Sequence, residues 1–111
     1  MINQMVSSDL TQTVISHLGG ENILTPIGAG GFFTQGGRIS FPLSHANPKK
    51  VHSVVISTEP HGFFRMDCYG EVRPGTLSAP LVGSAHAIIP ENLATVLGQL
   101  TGIESIHHRH F

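Results

Sequence analysis

The sequence predicts an α+β fold in which an antiparallel sheet of four to five strands is flanked by an N-terminal and a C-terminal helix, both packed on one face. Three observations predict this class. An apolar stripe with helical spacing lies near each end of the chain. The region between the stripes contains short segments rich in β-forming residues, separated by glycine and proline turns. No helical pattern interrupts these segments, so consecutive strands are expected to pair as antiparallel neighbours.

The N-terminal helix is predicted from serine caps, an apolar stripe and a glycine pair. Ser7 or Ser8 can cap the helix, and residues 1–6 either extend it or fray. The pair Gly19-Gly20 supplies the signal that ends the helix. The apolar residues that form its buried stripe are Leu10, Val14, Ile15 and Leu18.

The segment after this helix predicts a weak strand, a loop and a stronger strand. Residues 23–27 form a short apolar run, which Pro26 restricts to an edge strand or a strand end. The glycine-rich residues 28–37 predict a flexible loop or a loose hairpin. Residues 38–43 alternate as a strand, and Pro42 places that strand at an edge or ends its pairing.

A central hairpin contains the densest run of β-forming residues. Its strands are residues 51–57 and 63–72, and Pro60 and Gly62 lie in the turn between them. Alternation along both strands is typical of an antiparallel sheet with one covered face and one solvated face. The predicted core residues are Val54, Ile56, Phe64, Met66 and Cys68, and the predicted solvated residues are Arg65, Asp67 and Glu71.

The last third of the chain predicts one more strand and the second helix. Residues 73–75, Arg-Pro-Gly, form a turn signal, and residues 76–82 predict a short strand interrupted by Pro80. Pro90 suits the first position of a helix, and Gly102 suits its end. The apolar stripe of this helix contains Leu93, Val96, Leu97 and Leu100.

Composition limits the class of function. The 111 residues suffice for a single domain, residues 1–111, with residues 1–6 and 107–111 as the candidates for frayed ends. Charged residues make up 12% of the chain, about half the usual ~25%. Copies of such a chain repel each other weakly, so a homo-oligomer is expected. The formal net charge of −1 argues against a nucleic-acid partner bound through phosphate neutralisation.

The cysteine count and the N-terminal residues indicate a location. The single cysteine excludes an intrachain disulfide and a multi-cysteine zinc site, and it is typical of a reducing cytoplasm. Residues 1–4 lack the pattern of a signal peptide, and no stretch reaches the ~20 apolar residues of a membrane span. A cytoplasmic protein without a membrane partner or cofactor is therefore expected.

Several short motifs lie along the predicted elements. They are His17-Leu18-Gly19-Gly20, Thr25-Pro26-Ile27-Gly28-Ala29, the strand start Gly37-Arg38-Ile39-Ser40-Phe41, Asp67-Cys68-Tyr69 and Leu100-Thr101-Gly102-Ile103. This pattern resembles a family of small proteins of bacteriophages, prophages and other mobile elements, over roughly residues 10–105. That family has a Thr-Gly-Ala turn where this chain has Pro-Ile-Gly-Ala. The resemblance implies a compact protein acting in bacterial cytoplasm, and it implies no catalytic residues because the family has no assigned activity.

The pair Phe32-Phe33 is the main candidate for a binding site. Adjacent side chains on an extended segment face opposite ways, so one ring is expected to be buried and the other exposed. An exposed aromatic ring on a glycine-flanked loop suits a protein partner. The alternative is a flap that covers the edge of the sheet.

Histidine and cysteine residues supply the remaining candidates. His107, His108 and His110 near the C-terminus can bind a metal ion adventitiously, but a solvated tail is the preferred interpretation, so no functional metal site is predicted. Cys68 is expected to be an unreactive core residue. A small enzyme or ligand-binding domain is the second hypothesis, and it requires His52, His61 or His86 to lie near Asp67 in a pocket.

The sequence thus favours a homodimeric protein–protein interaction module of phage-like origin and without catalytic residues. The alternatives are the small enzyme or ligand-binding domain and a structural virion component.

Overall fold

The computed structural model describes residues 2–103, with side chains from residue 10 onward. Five strands form one antiparallel sheet in the order β1-β2-β3-β4-β5, which is also their order in the chain. Short 3-10 turns at Pro60–Gly62 and Pro90–Asn92 precede β4 and the last helix. The elements are α1 (Ile2–Leu18), α2 (Glu21–Leu24), β1 (Phe33–Gln35), β2 (Arg38–Pro42), β3 (Ser53–Thr58), β4 (Phe64–Tyr69), β5 (Leu81–Ile88) and α3 (Leu93–Thr101).

The core lies between the sheet and the helices α1 and α3, which also pack against each other. This arrangement confirms the predicted α+β class and the central hairpin. The five residues assigned to the core of that hairpin are at most 7% exposed. The helices contribute Val14, Leu18, Leu93 and Leu97, each with no exposed surface. Burial of apolar surface between two amphipathic helices and one sheet face therefore holds the fold together.

Helix α1 begins at Ile2, before the predicted serine caps, so the alternative in which the first residues extend the helix is the correct one. Its end is where the glycine pair predicted it. The Gly19 N–H donates to the Ser16 carbonyl at 3.1 Å and the Gly20 N–H donates to the Ile15 carbonyl at 2.9 Å. These two bonds form the Schellman pattern, which satisfies carbonyl groups that the helix leaves unpaired.

Two predicted strands are wrong in position. Residues 23–27 do not form an edge strand, because α2 occupies residues 21–24 and a turn follows, closed by the Gly28 N–H donating to the Thr25 carbonyl at 3.0 Å. The strand predicted at residues 76–82 begins only at Leu81. The Pro74-Gly75 turn keeps the residues before Leu81 out of the sheet, since proline fixes one turn position and glycine allows the next.

The glycine-rich segment contains a tight hairpin rather than a loose one. Gln35 pairs with Arg38, so Gly36 and Gly37 form a two-residue loop with φ angles of 53° and 78°. Two successive positive φ angles define the turn that best matches the twist of a β-hairpin. The loop therefore fixes the register of β1 against β2.

Candidate functional site

The sheet face opposite the helices carries a row of side chains that crosses all five strands. Directly paired residues of antiparallel strands lie on the same face of the sheet. The register aligns Phe33, Ser40, Val55, Asp67 and Ser84 in this row. The face is rich in serine, with apolar side chains only at intervals, and no described helix covers it.

Asp67 lies on this outer face as predicted, but it is 7% exposed rather than solvated. The Arg65 Nε donates to both carboxylate oxygens of Asp67, at 3.2 and 3.0 Å, and the Ser84 hydroxyl donates to one of them at 2.8 Å. These charge-assisted hydrogen bonds compensate the carboxylate for its lost hydration. Asp67 therefore joins β4 to β5, and no histidine lies among its hydrogen-bond partners in residues 10–103.

The two phenylalanines of the candidate binding site separate as expected. Phe32 is half-buried and packs against the core, with its ring centroid 5.0 Å from that of Phe41. Phe33 is 60% exposed at the start of β1 and lines a shallow hollow of about 130 Å³ together with Arg38 and Val55. Packing is thus the role that the contacts assign to Phe32, whereas Phe33 presents an aromatic surface to solvent.

This separation predicts different effects for two serine substitutions. Phe32→Ser removes a ring that packs on Phe41, so we expect it to lower the free energy of unfolding by about 2–3 kcal/mol. Phe33→Ser removes a mostly exposed ring and should change that free energy by less than about 0.5 kcal/mol. Urea denaturation of both variants measures the difference. Equal losses of stability would contradict the assignment.

Residues 70–80 form an arm, here called the β4–β5 arm, that continues the β4–β5 hairpin beyond the sheet. The Gly70 N–H donates to the Pro80 carbonyl at 2.9 Å, and the Arg73 N–H donates to the Ser78 carbonyl at 3.3 Å. The Thr76 N–H and hydroxyl both donate to the Arg73 carbonyl, at 3.1 and 2.9 Å. The arm is therefore a hydrogen-bonded turn of defined shape.

Exposed apolar side chains concentrate on this arm and on the strand that follows it. Leu77 near the tip of the arm is fully exposed, and Val72 and Leu81 are each 53% exposed. Val82 is 45% exposed. Single exposed apolar residues are common on protein surfaces, but four on one hairpin are a concentration that makes this hairpin a candidate interaction site.

Strand β5 forms one edge of the sheet and is eight residues long. In residues 2–103, no strand pairs with its outer edge. It contains no lysine, arginine, aspartate, glutamate or proline. Edge strands of monomeric proteins usually carry such residues, which discourage pairing with another chain.

At its C-terminal end, β5 is protected from pairing with another chain by contacts with Glu59. The Ala87 N–H donates to Glu59 Oε1 at 2.9 Å, and His86 Nδ1 lies 3.2 Å from Glu59 Oε2. The pKa of the Glu59 carboxyl group is lowered. The hydrogen bond from the Ala87 N–H is the largest cause, and the hydrogen bond with His86 is the next largest. Register shifts between Phe64 and Met66 and between Cys68 and Tyr69 interrupt the β4–β5 pairing, so its regular part is Gly83, Ser84 and Ala85.

A cleft of about 490 Å³ lies at the end of the sheet where β2 and β4 end and where β3 and β5 begin. Buried Leu43 and Val51 lie among its lining residues, and two histidines, His45 and His52, line it as well. Asp67 does not. Of the three histidines that sequence reasoning considered with Asp67, His86 pairs with Glu59 and only His52 lines the cleft.

The remaining candidates are placed as follows. Cys68 has no exposed surface, and its burial, with the nearby charge of Asp67, raises the pKa of the thiol to about 12. A thiol that stays protonated is a poor nucleophile and a poor metal ligand. His107, His108 and His110 lie outside the described residues. In the described part of the chain, no three His, Cys, Asp or Glu side chains cluster as metal ligands do.

Comparisons with known protein families, curated proteins and solved structures find no match to this chain. Among the described residues, no helix is both long and apolar enough to cross a membrane.

Proposed function

We propose that this protein is a protein–protein interaction module whose first partner is a second copy of itself. The observation that carries the proposal is the edge of β5, which contains no Lys, Arg, Asp or Glu and pairs with no other strand in residues 2–103, beside an exposed apolar arm. Unpaired backbone N–H and C=O groups of an edge strand form a template for another strand.

The geometry favours antiparallel pairing of two β5 strands about a two-fold axis. Such an interface is isologous, so each copy contributes the same surface. Gly83, Ser84 and Ala85 form the part of β5 that pairs in regular register with β4, and it suits the centre of the contact. Their small side chains let another chain approach closely. Leu77 of the arm and Leu81 at the start of β5 are exposed, so they are available to add apolar contact.

Electrostatics do not oppose this contact. The net charge of −1 produces weak repulsion between copies, and β5 itself has His86 as its only titratable residue. An edge pairing of this length buries less than the ~800 Å² per partner of a standard interface. We therefore expect a reversible dimer with a dissociation constant in the micromolar range rather than a permanent one.

Sedimentation equilibrium between about 1 and 100 μM tests this expectation. The variant Leu77→Ser/Leu81→Lys removes apolar contact and places a charge at the edge, so dimerisation should weaken by about tenfold or more. Its fold should persist because both side chains are exposed.

Phe33→Ser is the matched control, since it removes an exposed apolar side chain at β1, the opposite edge of the sheet. It should leave the dimer unchanged. Loss of the dimer in the control alone would show that Phe33, and not β5, forms the interface, as in the alternative based on Phe32 and Phe33. A monomer at all concentrations would overturn the proposal of self-association.

We further propose that the module belongs to a phage-like or mobile element and acts in bacterial cytoplasm. This part is supported by the motif resemblance alone. Neighbouring genes of viral or mobile-element type would support it, and a position among conserved housekeeping genes would oppose it.

A further inference from the structure

We propose that the cleft at the end of the sheet binds a small zwitterion with an apolar body, in the size class of a short apolar peptide. The lining of this site includes Glu71 and Pro80 of the β4–β5 arm and Val82 of β5. It includes none of Gly83, Ser84 and Ala85, the residues assigned to the centre of the proposed dimer contact. The inference rests on a preformed cavity, on two opposite charges that have no ion-pair partner among residues 10–103, and on a strained lysine at the wall.

The cleft is preformed because backbone hydrogen bonds connect the chain segments that surround it. The Leu43 N–H donates to the His52 carbonyl at 2.9 Å, and the His52 N–H donates to the Tyr69 carbonyl at 2.7 Å. The Gly70 N–H donates to the Pro80 carbonyl at 2.9 Å. A site that already has its bound shape loses little conformational entropy when a ligand enters.

The loop on one side of the cleft is held by an asparagine. Asn47 Nδ2 donates to the Val51 carbonyl and Asn47 Oδ1 accepts from the Val51 N–H, both at 2.9 Å. His45 Nδ1 donates to the Pro26 carbonyl at 2.7 Å, which ties this loop to the turn after α2. The cavity volume of about 490 Å³ is within the range of small-molecule sites, about 300–1,000 Å³.

The lining residues define the chemistry of the ligand. Leu43, Val51, Pro80 and Val82 provide apolar surface. Lys50 and Glu71 add one positive and one negative charge. Among residues 10–103, the ion pairs are Arg65 with Asp67 and His86 with Glu59, so Lys50 and Glu71 do not neutralise each other. Opposite charges beside an apolar surface match a carboxylate and an ammonium group joined by an apolar body.

Lys50 occupies a conformation that a lysine rarely adopts. Its φ angle is 58°, in the left-handed region that favours glycine and asparagine. Strained residues of this kind concentrate at binding sites, where function compensates for the lost stability. Lys50 therefore contributes a charge at a position where glycine or asparagine would serve the fold better.

Isothermal titration with the dipeptide Leu-Leu tests the proposal. We expect the wild-type protein to bind Leu-Leu. N-acetyl-Leu-Leu lacks the ammonium group, so its affinity should be lower by about fivefold or more. Leu-leucinamide lacks the carboxylate and Gly-Gly lacks the apolar body, so both should bind similarly weakly. Equal binding of the four probes, or no Leu-Leu binding up to about 10 mM, would overturn the proposal.

Two lysine variants separate the site from the fold. Lys50→Asn should weaken Leu-Leu binding by about fivefold while the melting temperature stays equal or rises, since asparagine tolerates the left-handed conformation. Lys49→Asn removes the same charge from a residue that does not line the cleft, and it should bind like the wild type. Equal effects of the two variants would indicate nonspecific attraction and contradict the site.

Glu71→Gln provides a further check on the ammonium group. In this variant, acetylation of the dipeptide should cause no additional loss of affinity, because the carboxylate that recognises the ammonium is already absent. A full additional loss would exclude Glu71 as the partner. Sedimentation of Lys50→Asn should still show the dimer, which distinguishes failure of this site from failure of the proposed self-association.

Discussion

Replacing Gly28 by alanine is expected to lower the free energy of unfolding by about 3 kcal/mol or more. Gly28 has a φ angle of +82°, which costs an L-residue about 1–2 kcal/mol. An added Cβ would also lie 2.6 Å from the His45 backbone nitrogen and 2.9 Å from the Ser44 nitrogen. Backbone atoms cannot move aside as the end of a flexible side chain can, so the overlap must be relieved by displacing the chain.

The contact that this substitution would displace joins Gly28, at the start of the glycine-rich segment, to Ser44, just after β2. The Ser44 N–H and the Ser44 hydroxyl both donate to the Gly28 carbonyl at 3.1 Å. Ala29 forms an isolated bridge with Leu43 next to these bonds. Thermal unfolding followed by circular dichroism should therefore show a melting temperature lower by about 10 °C or more in Gly28→Ala.

Gly30→Ala is the matched control for this prediction. Gly30 lies two positions further on, its φ is not positive, and an added Cβ would meet no atom within 4 Å. Its stability should stay within about 0.5 kcal/mol of the wild type or rise slightly, because alanine restricts the unfolded chain. Similar losses in both variants would show that the segment does not tolerate side chains in general and would contradict the specific role of Gly28.

The second large effect is expected in alkaline solution. The pKa of the Cys68 thiol rises from an ordinary value of 9.0 to about 12 in the folded protein. Between these values the unfolded chain loses the thiol proton while the folded chain keeps it. Stability due to this difference is therefore fully present below pH 9 and decreases as the pH rises towards 12. The loss is about 2 kcal/mol at pH 10.5 and about 4 kcal/mol at pH 12.

Urea denaturation at pH 8 and pH 10.5 measures this loss. Tyrosine and lysine residues also titrate in this range, so the variant Cys68→Ala is needed as the reference. The wild type should lose about 2 kcal/mol more than Cys68→Ala between the two pH values. Equal losses in the two proteins would mean that the thiol ionises in the folded state as it does in the unfolded chain. They would contradict the burial of Cys68.

The architecture was predictable because the strongest patterns are local. Alternation along β3 and β4 identified Val54, Ile56 and Met66 as core residues, and glycines identified the ends of α1 and α3. The burial of Asp67 was missed because it depends on Ser84, whose position beside it follows from strand pairing rather than from neighbouring residues.

The candidate sites were less predictable for the same reason. The cleft draws its walls from four separate segments, so no single stretch of sequence indicates it. The strain at Lys50 has no sequence signal either, because lysine is not a residue that marks a positive φ angle. The aromatic pair was visible as a candidate, and its rings differ in exposure in the expected direction, with Phe32 half-buried and Phe33 60% exposed. Its role in binding stays a prediction.

The order of the strands has a consequence for how the protein folds. Because every strand pairs with its neighbour along the chain, the sheet can assemble through a series of short loop closures, each with a small entropic cost. The contact between α1 and α3 instead joins segments from the two ends of the chain. Docking of these helices therefore requires the largest loop closure and is expected to be the slow, cooperative step of folding.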